Sequence, residues 1–240
     1  MMNLIQEEEI RSKEFDIETV NGLVKLTPRN VAIAEAMIRT DSNYAKTWNP
    51  EEGPSNNYPG STAFWMTELK NYLFDRSEYS KKDVLREGIA AIDRENSTHL
   101  NADRIGRTIV LDRLMGLTNN ELIRCLRHPK ETGYRLIKLI AEKTTEEKGG
   151  RTNLSFASKF CHYACFFLFV GEKEQDNYSI YDNVVRKALP KYLKAYELPN
   201  YKLSLYEEYQ AAIDAIRAHD QYSISRNGFD HLIWYSSKGA

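Results

Sequence analysis

The chain has 240 residues, 42% of them hydrophobic, with 33 Lys and Arg against 34 Asp and Glu, a net charge of -1 and a pI near 6.5. That length buries a sizeable core, as one large domain or as two lobes sharing a cleft. The charge balance excludes a globally basic nucleic-acid binder, so any polyanion surface must be local, and three cysteines exclude both a disulfide framework and a four-thiolate iron–sulfur cluster.

The first residues, Met-Met-Asn-Leu-Ile-Gln-Glu-Glu-Glu, lack the basic and apolar regions of a signal peptide, and the longest apolar stretch, Phe160 to Val170, is too short to span a bilayer. A cytoplasmic, membrane-free protein is expected. Phe15, Ile17 and Thr19-Val20 then lead into Asn21-Gly22, with Leu23 to Leu26 following; Asn-Gly is the preferred two-residue hairpin turn, which predicts a small β-hairpin. From there the apolar spacing is helical. It predicts helices over 29–40, 62–75, 81–94 and 103–115, with a Pro-, Gly-, Asn- and Ser-rich loop from Asn49 to Ser61. Trp48, just before it, and Tyr58 within it give the stretch an aromatic character suited to a lid or wedge.

Thr118-Asn119-Asn120-Glu121 reads as a capping box opening a helix that ends near His128, before Pro129. Further helices are expected at 131–144, 154–170, 183–196, 203–219 and 226–237, so the fold class is all-α with one minor hairpin. Cys161 and Cys165 lie one helical turn apart, where two sulfurs can share a metal. Without a Cys-x-x-Cys pair or a third ligand nearby they read as buried small hydrophobes; no metal and no cofactor is expected.

Two charged residues stand out. Lys159 lies in the otherwise apolar run Ser155 to Phe169, where desolvation disfavours an ammonium and makes a neutral amine nucleophilic. The alternative is a lysine that snorkels to the surface. Asp182 stands at the mouth of the next helix, where backbone N–H groups and the helix dipole favour an anion; the plainer reading is an N-cap only. His162 and Phe166 share the face of Lys159 at i+3 and i+7, suited to a pocket, although a packed histidine fits as well. The connection Thr144 to Asn153 contains Lys148, Gly149, Gly150 and Arg151, either a phosphate clamp at a helix N-terminus or a glycine C-cap. Arg186, Lys187, Lys191 and Lys194 make the helix after Asp182 basic, as a phosphate-facing stripe or a solvated face. Phe229 and Trp234 are candidates for stacking on a base, or for core positions.

The segment 131–196 resembles the helix-hairpin-helix DNA glycosylase superfamily, in particular its 8-oxoguanine branch. The residues carrying the likeness are Lys159-Phe160-Cys161-His162-Tyr163-Ala164-Cys165 and Tyr178-Ser179-Ile180-Tyr181-Asp182-Asn183-Val184. Ser155-Phe156-Ala157-Ser158-Lys159 with Ile180-Tyr181-Asp182, and the run Phe229 to Trp234, also look like uncharacterised bacterial proteins of that fold. The chain departs from the family in Lys148-Gly149-Gly150-Arg151, which replaces the Gly-x-Gly hairpin, in Tyr181, which replaces a proline, and in the acidic insertion Glu172 to Asp176.

The resemblance implies a two-lobed helical fold with the helix-hairpin-helix at about 131–170. It partitions the chain into an extension over 1–60 and a glycosylase-like domain over 61–240. It also implies double-stranded DNA with a flipped-out base as partner. Lys159 and Asp182 are then catalytic, Lys148 to Arg151 with Arg186 and Lys187 hold the DNA backbone, and His162, Phe166, Phe229 and Trp234 line the base pocket. The expected activity is glycosylase and lyase chemistry on a damaged or modified base, an oxidised purine foremost. A non-catalytic DNA-binding or protein-interaction module retaining this fold is the alternative.

Overall fold

The computed structural model describes residues 5, 7–12, 14–41, 44, 60–100, 105–143, 152–219 and 222–238. Among them the chain is all-α with one two-stranded antiparallel hairpin. It divides into two compact units, residues 1–50 with 181–240 (unit 1) and residues 51–180 (unit 2).

In unit 1, α1 (Glu7–Ser12) precedes β1 (Thr19–Val20) and β2 (Leu23–Val24), paired as Thr19 with Val24 and Val20 with Leu23. Asn21 and Gly22, at φ 54 and 74, make the turn with two left-handed residues, as Asn-Gly predicts. Helix α2 (Pro28–Thr40) opens with Thr27, whose hydroxyl accepts from Asn30 N, and with proline in its first turn. The carboxy-terminal part adds α9 (Asn183–Ala195), α10 (Tyr206–His219) and α11 (Arg226–Lys238). Helix α11 packs on α2, α9, α10 and β2, and buried Tyr192 of α9 fixes the hairpin by accepting from Val24 N at 2.9 Å.

Unit 2 is built around one helix. It contains α3 (Thr62–Leu73), α4 (Lys81–Glu95), α5 (Gly106–Met115), α6 (Asn119–Arg127), α7 (Arg135–Ala141) and α8 (Leu154–Leu168), then a 3-10 turn at Lys173–Asp176. Helix α8 packs against α3, α4, α6 and α7, and eleven of its fifteen residues are buried, Phe156, Phe160, Cys161 and Cys165 among them. Burial along most of its length makes α8 the core helix of the unit. Burial pushes both the Cys161 and Cys165 thiols well up, so these sulfurs are packing groups.

The capping box of α6 is formed: Thr118 Oγ1 accepts from Glu121 N at 3.2 Å, and the Glu121 carboxylate accepts from Thr118 N at 2.9 Å. The helix expected from residue 131 starts only at Arg135. Gly133 and Tyr134 are both left-handed, at φ 56 and 54, and Tyr134 N donates to Pro129 O at 2.7 Å, so residues 129–134 form turns instead. Tyr134 is itself buried, edge-on to Tyr178 at 6.3 Å; packing of the ring offsets a backbone conformation costing about 1–2 kcal/mol.

Candidate functional site

Past its first two residues, α8 emerges from burial at only two positions, Lys159 and Phe166. They are seven apart, two turns on one face, with His162 between them. The half-buried Lys159 side chain reaches the carboxy-terminal end of α4, where Nζ donates to the Asn96 carbonyl at 3.2 Å. Tyr163, one turn on, donates its hydroxyl to Asn96 Oδ1 at 2.9 Å. Two consecutive turns of α8 thus grip the residue that caps α4. The last carbonyls of a helix carry partial negative charge, so they receive an ammonium well. Beside this grip the chain makes two left-handed turns at non-glycine residues, Ser97 (φ 47) and His99 (φ 54).

Unit 2 uses the same device twice more. Lys81 Nζ donates to Leu117 O, just beyond the end of α5. The Arg113 guanidinium donates to Glu142 O at 2.8 Å and Lys143 O at 2.9 Å, at the end of α7. Burial lowers Lys81 below the ordinary lysine value, and Glu121 partly opposes the change.

His162 is 1% exposed, and its Nδ1 lies 2.9 Å from Tyr178 O. A ring nitrogen facing a carbonyl must carry the proton, which fixes this nitrogen as a donor. Its ring is tilted 31° from Phe166 at 6.4 Å. Tyr178 donates to Cys125 O at 2.6 Å, and Asn177 Nδ2 donates to Leu126 O and Arg127 O, so the segment ahead of Asp182 is tied to the end of α6.

Asp182, in unit 1, caps α9: Oδ1 accepts from Val184 N at 2.6 Å. The N-cap reading of the sequence therefore holds as structure. Tyr181 beside it packs on Tyr209 at 4.8 Å and donates to Leu203 O at 3.1 Å. Burial pushes the Tyr209 hydroxyl well up, with the Asp230 charge adding. Arg186 donates to Asn183 Oδ1 at 2.8 Å, while Lys187, Lys191 and Lys194 are exposed along α9. Phe229 is 1% exposed and packs edge-on to Tyr192 at 6.0 Å, a core position that offers no face to a base. Trp234, on the same helix, is exposed.

Helices α7 and α8 pack together, and Asn153 N donates to Ala141 O at 2.9 Å, closing their connection. Lys148, Gly149, Gly150 and Arg151 lie outside the described residues, as do Trp48 and Tyr58. Asn96 and Tyr163 are absent from the sequence-predicted site. Tyr163 was findable, one turn from Lys159. Asn96, 63 positions upstream, carries no local signal.

Among the described residues no helix is long and apolar enough to cross a membrane, and no cluster of His, Cys, Asp and Glu is suited to a metal ion. Compared with protein-family models, curated proteins and solved structures, the chain matches none.

Proposed function

We propose that this protein acts on DNA as a glycosylase with lyase activity, removing a damaged or modified base through Lys159. The observation carrying the reading is that the central helix of unit 2, otherwise buried, brings a lysine to its one emergent face, with Phe166 on the same side. A base leaves the duplex at a cost of about a few kcal/mol and is held by stacking, for which Phe166, half-buried on the face of Lys159, is suited.

In this chemistry the Lys159 ammonium leaves the Asn96 carbonyl and gives up a proton. Its nitrogen then bonds to C1′ of the sugar while the glycosidic bond breaks and the base departs, taking a proton. The C1′–O4′ bond then breaks and the sugar ring opens, O4′ taking the proton that the nitrogen releases, and the imine so formed permits β-elimination of the 3′ phosphate. Asp182 stabilises positive charge developing at the sugar or moves protons. Exposed Lys187, with Arg186, meets backbone phosphates. An oxidised purine is the proposed target class.

A second reading has its own observation. Lys159, Lys81 and Arg113 all donate to carbonyls near helix ends, so Lys159 serves equally as one of three structural caps in a non-catalytic DNA-binding or protein-interaction module. The deciding test incubates a panel of duplexes, each with one oxidised or alkylated base, with wild type and Lys159→Gln and measures released base. Release by wild type that the variant loses supports the enzyme. Duplex binding with no release from any lesion supports the module.

A further inference from the structure

Within unit 1, a polar cluster joins the end of α2 to α11. Asp41 closes α2, its N–H returning to Met37 O at 3.0 Å. His231 of α11 places Nε2 3.3 Å from Asp41 Oδ2 and Nδ1 2.8 Å from Asn227 O, one turn back on its own helix. The buried Tyr44 ring packs 5.7 Å from the imidazole, and its hydroxyl donates to Asn227 Oδ1 at 3.1 Å.

A neutral imidazole has one N–H and one lone pair, whereas the imidazolium has two N–H donors. Here both ring nitrogens face acceptors, a carbonyl and a carboxylate. Only the charged ring satisfies the two together. We propose that His231 is a proton-controlled latch: charged, it fastens Asp41 and Tyr44, where the chain leaves α2, onto α11; neutral, it loosens them. The latch does not depend on the chemistry of Lys159.

Among the described residues, the groups acting on the ring are Asp41 from the end of α2, Tyr44 beyond it and the charge of Asp230 from α11 itself. At the start of α11, Arg226 is committed to Asp214 of α10 at 2.7 Å, and α9 meets α11 through Tyr192 on Phe229. Burial alone favours the neutral ring, but the bond to Asp41 and the charges of Asp230 and Asp41 outweigh it and hold His231 above the ordinary histidine value. A group raised in this way stabilises the fold fully below its unfolded value, about 6.5, and loses that contribution as pH rises through its folded value.

The test is an NMR titration of the histidines of the full chain, with His231→Gln assigning the resonance. His231 is expected to titrate above the ordinary value, and Asp41→Asn to bring it down. In parallel, the melting temperature of wild type should exceed that of His231→Gln by about 2–4 °C in mildly acidic buffer, and the gap should close on the alkaline side. Should His231→Gln not fold, Asp41→Asn serves the same melting comparison, and sequential backbone assignment identifies the His231 resonance independently of that variant. A wild-type midpoint at or below the ordinary value, a midpoint untouched by Asp41→Asn, or a melting gap that stays constant or widens with pH would overturn the latch.

Discussion

The regions around Lys159 and Asp182 solve mirror-image problems. Lys159 presents its amine to the carbonyl end of α4, and Asp182 presents a carboxylate to the N–H end of α9. Each complements the helix terminus that it meets. They differ in what the proposed chemistry asks next. A capping carboxylate and a carboxylate that stabilises positive charge are both wanted ionised, so Asp182 can do both tasks unchanged. An ammonium bonded to a carbonyl and a nucleophilic amine are opposite states of the same nitrogen. Lys159 must therefore leave its structural partner to react, and the reaction's pH dependence should lie with the lysine.

Four variants sharpen this contrast. The largest effect is expected at a carboxylate with no chemical task. Asp93 in α4 is 5% exposed and accepts from Thr98 Oγ1, from Leu100 N at 2.8 Å and from Arg107 Nε at 2.9 Å. Asp93→Ala strands these donors and should cost about 3 kcal/mol in denaturant unfolding while leaving DNA processing intact. Burial opposes ionisation of Asp93, but the bonds from Thr98, Leu100 and Arg107 outweigh it and hold the carboxyl below its ordinary value. Its contribution is therefore present above the unfolded value and lost as acid is added through the lower, folded one.

Asp182→Ala comes next, losing about 1 kcal/mol as an N-cap and about a hundredfold in base release. A loss of stability with unchanged release would leave Asp182 a cap alone. Lys159→Gln and Lys81→Gln form the smallest and most telling pair. Each removes a cation from near a helix end and should cost about 0.5 kcal/mol by thermal melting, while only the Lys159 variant abolishes base release. Equal melting losses with equal release would place the two lysines in one structural class. Base release by wild type should also climb with pH, because the ammonium must lose a proton first; a rate that falls as pH rises contradicts an amine nucleophile.

The fold was legible in the sequence wherever its signals are local. The Asn21-Gly22 turn, the Thr118 box and the spacing of α8 to α11 each depend on residues within a few positions of one another. The start of α7 was not legible, because a left-handed Tyr134 depends on burial against Tyr178, 44 positions away. The same distinction runs through the site. Asp182 as an N-cap follows from its immediate neighbours. The partner of Lys159 does not, because apolar neighbours along α8 say nothing about the end of α4, where its side chain goes. His231 and Asp41, 190 positions apart, meet only through the packing of α11 on α2.

The central claim, that the amine of Lys159 is a nucleophile as well as a cap, is tested most directly by borohydride trapping on an abasic duplex with the adduct mapped by mass. The expected result is a covalent adduct on the peptide containing Lys159, absent from Lys159→Gln and retained by Lys81→Gln. No adduct under any condition, or one that persists undiminished in Lys159→Gln, would contradict it.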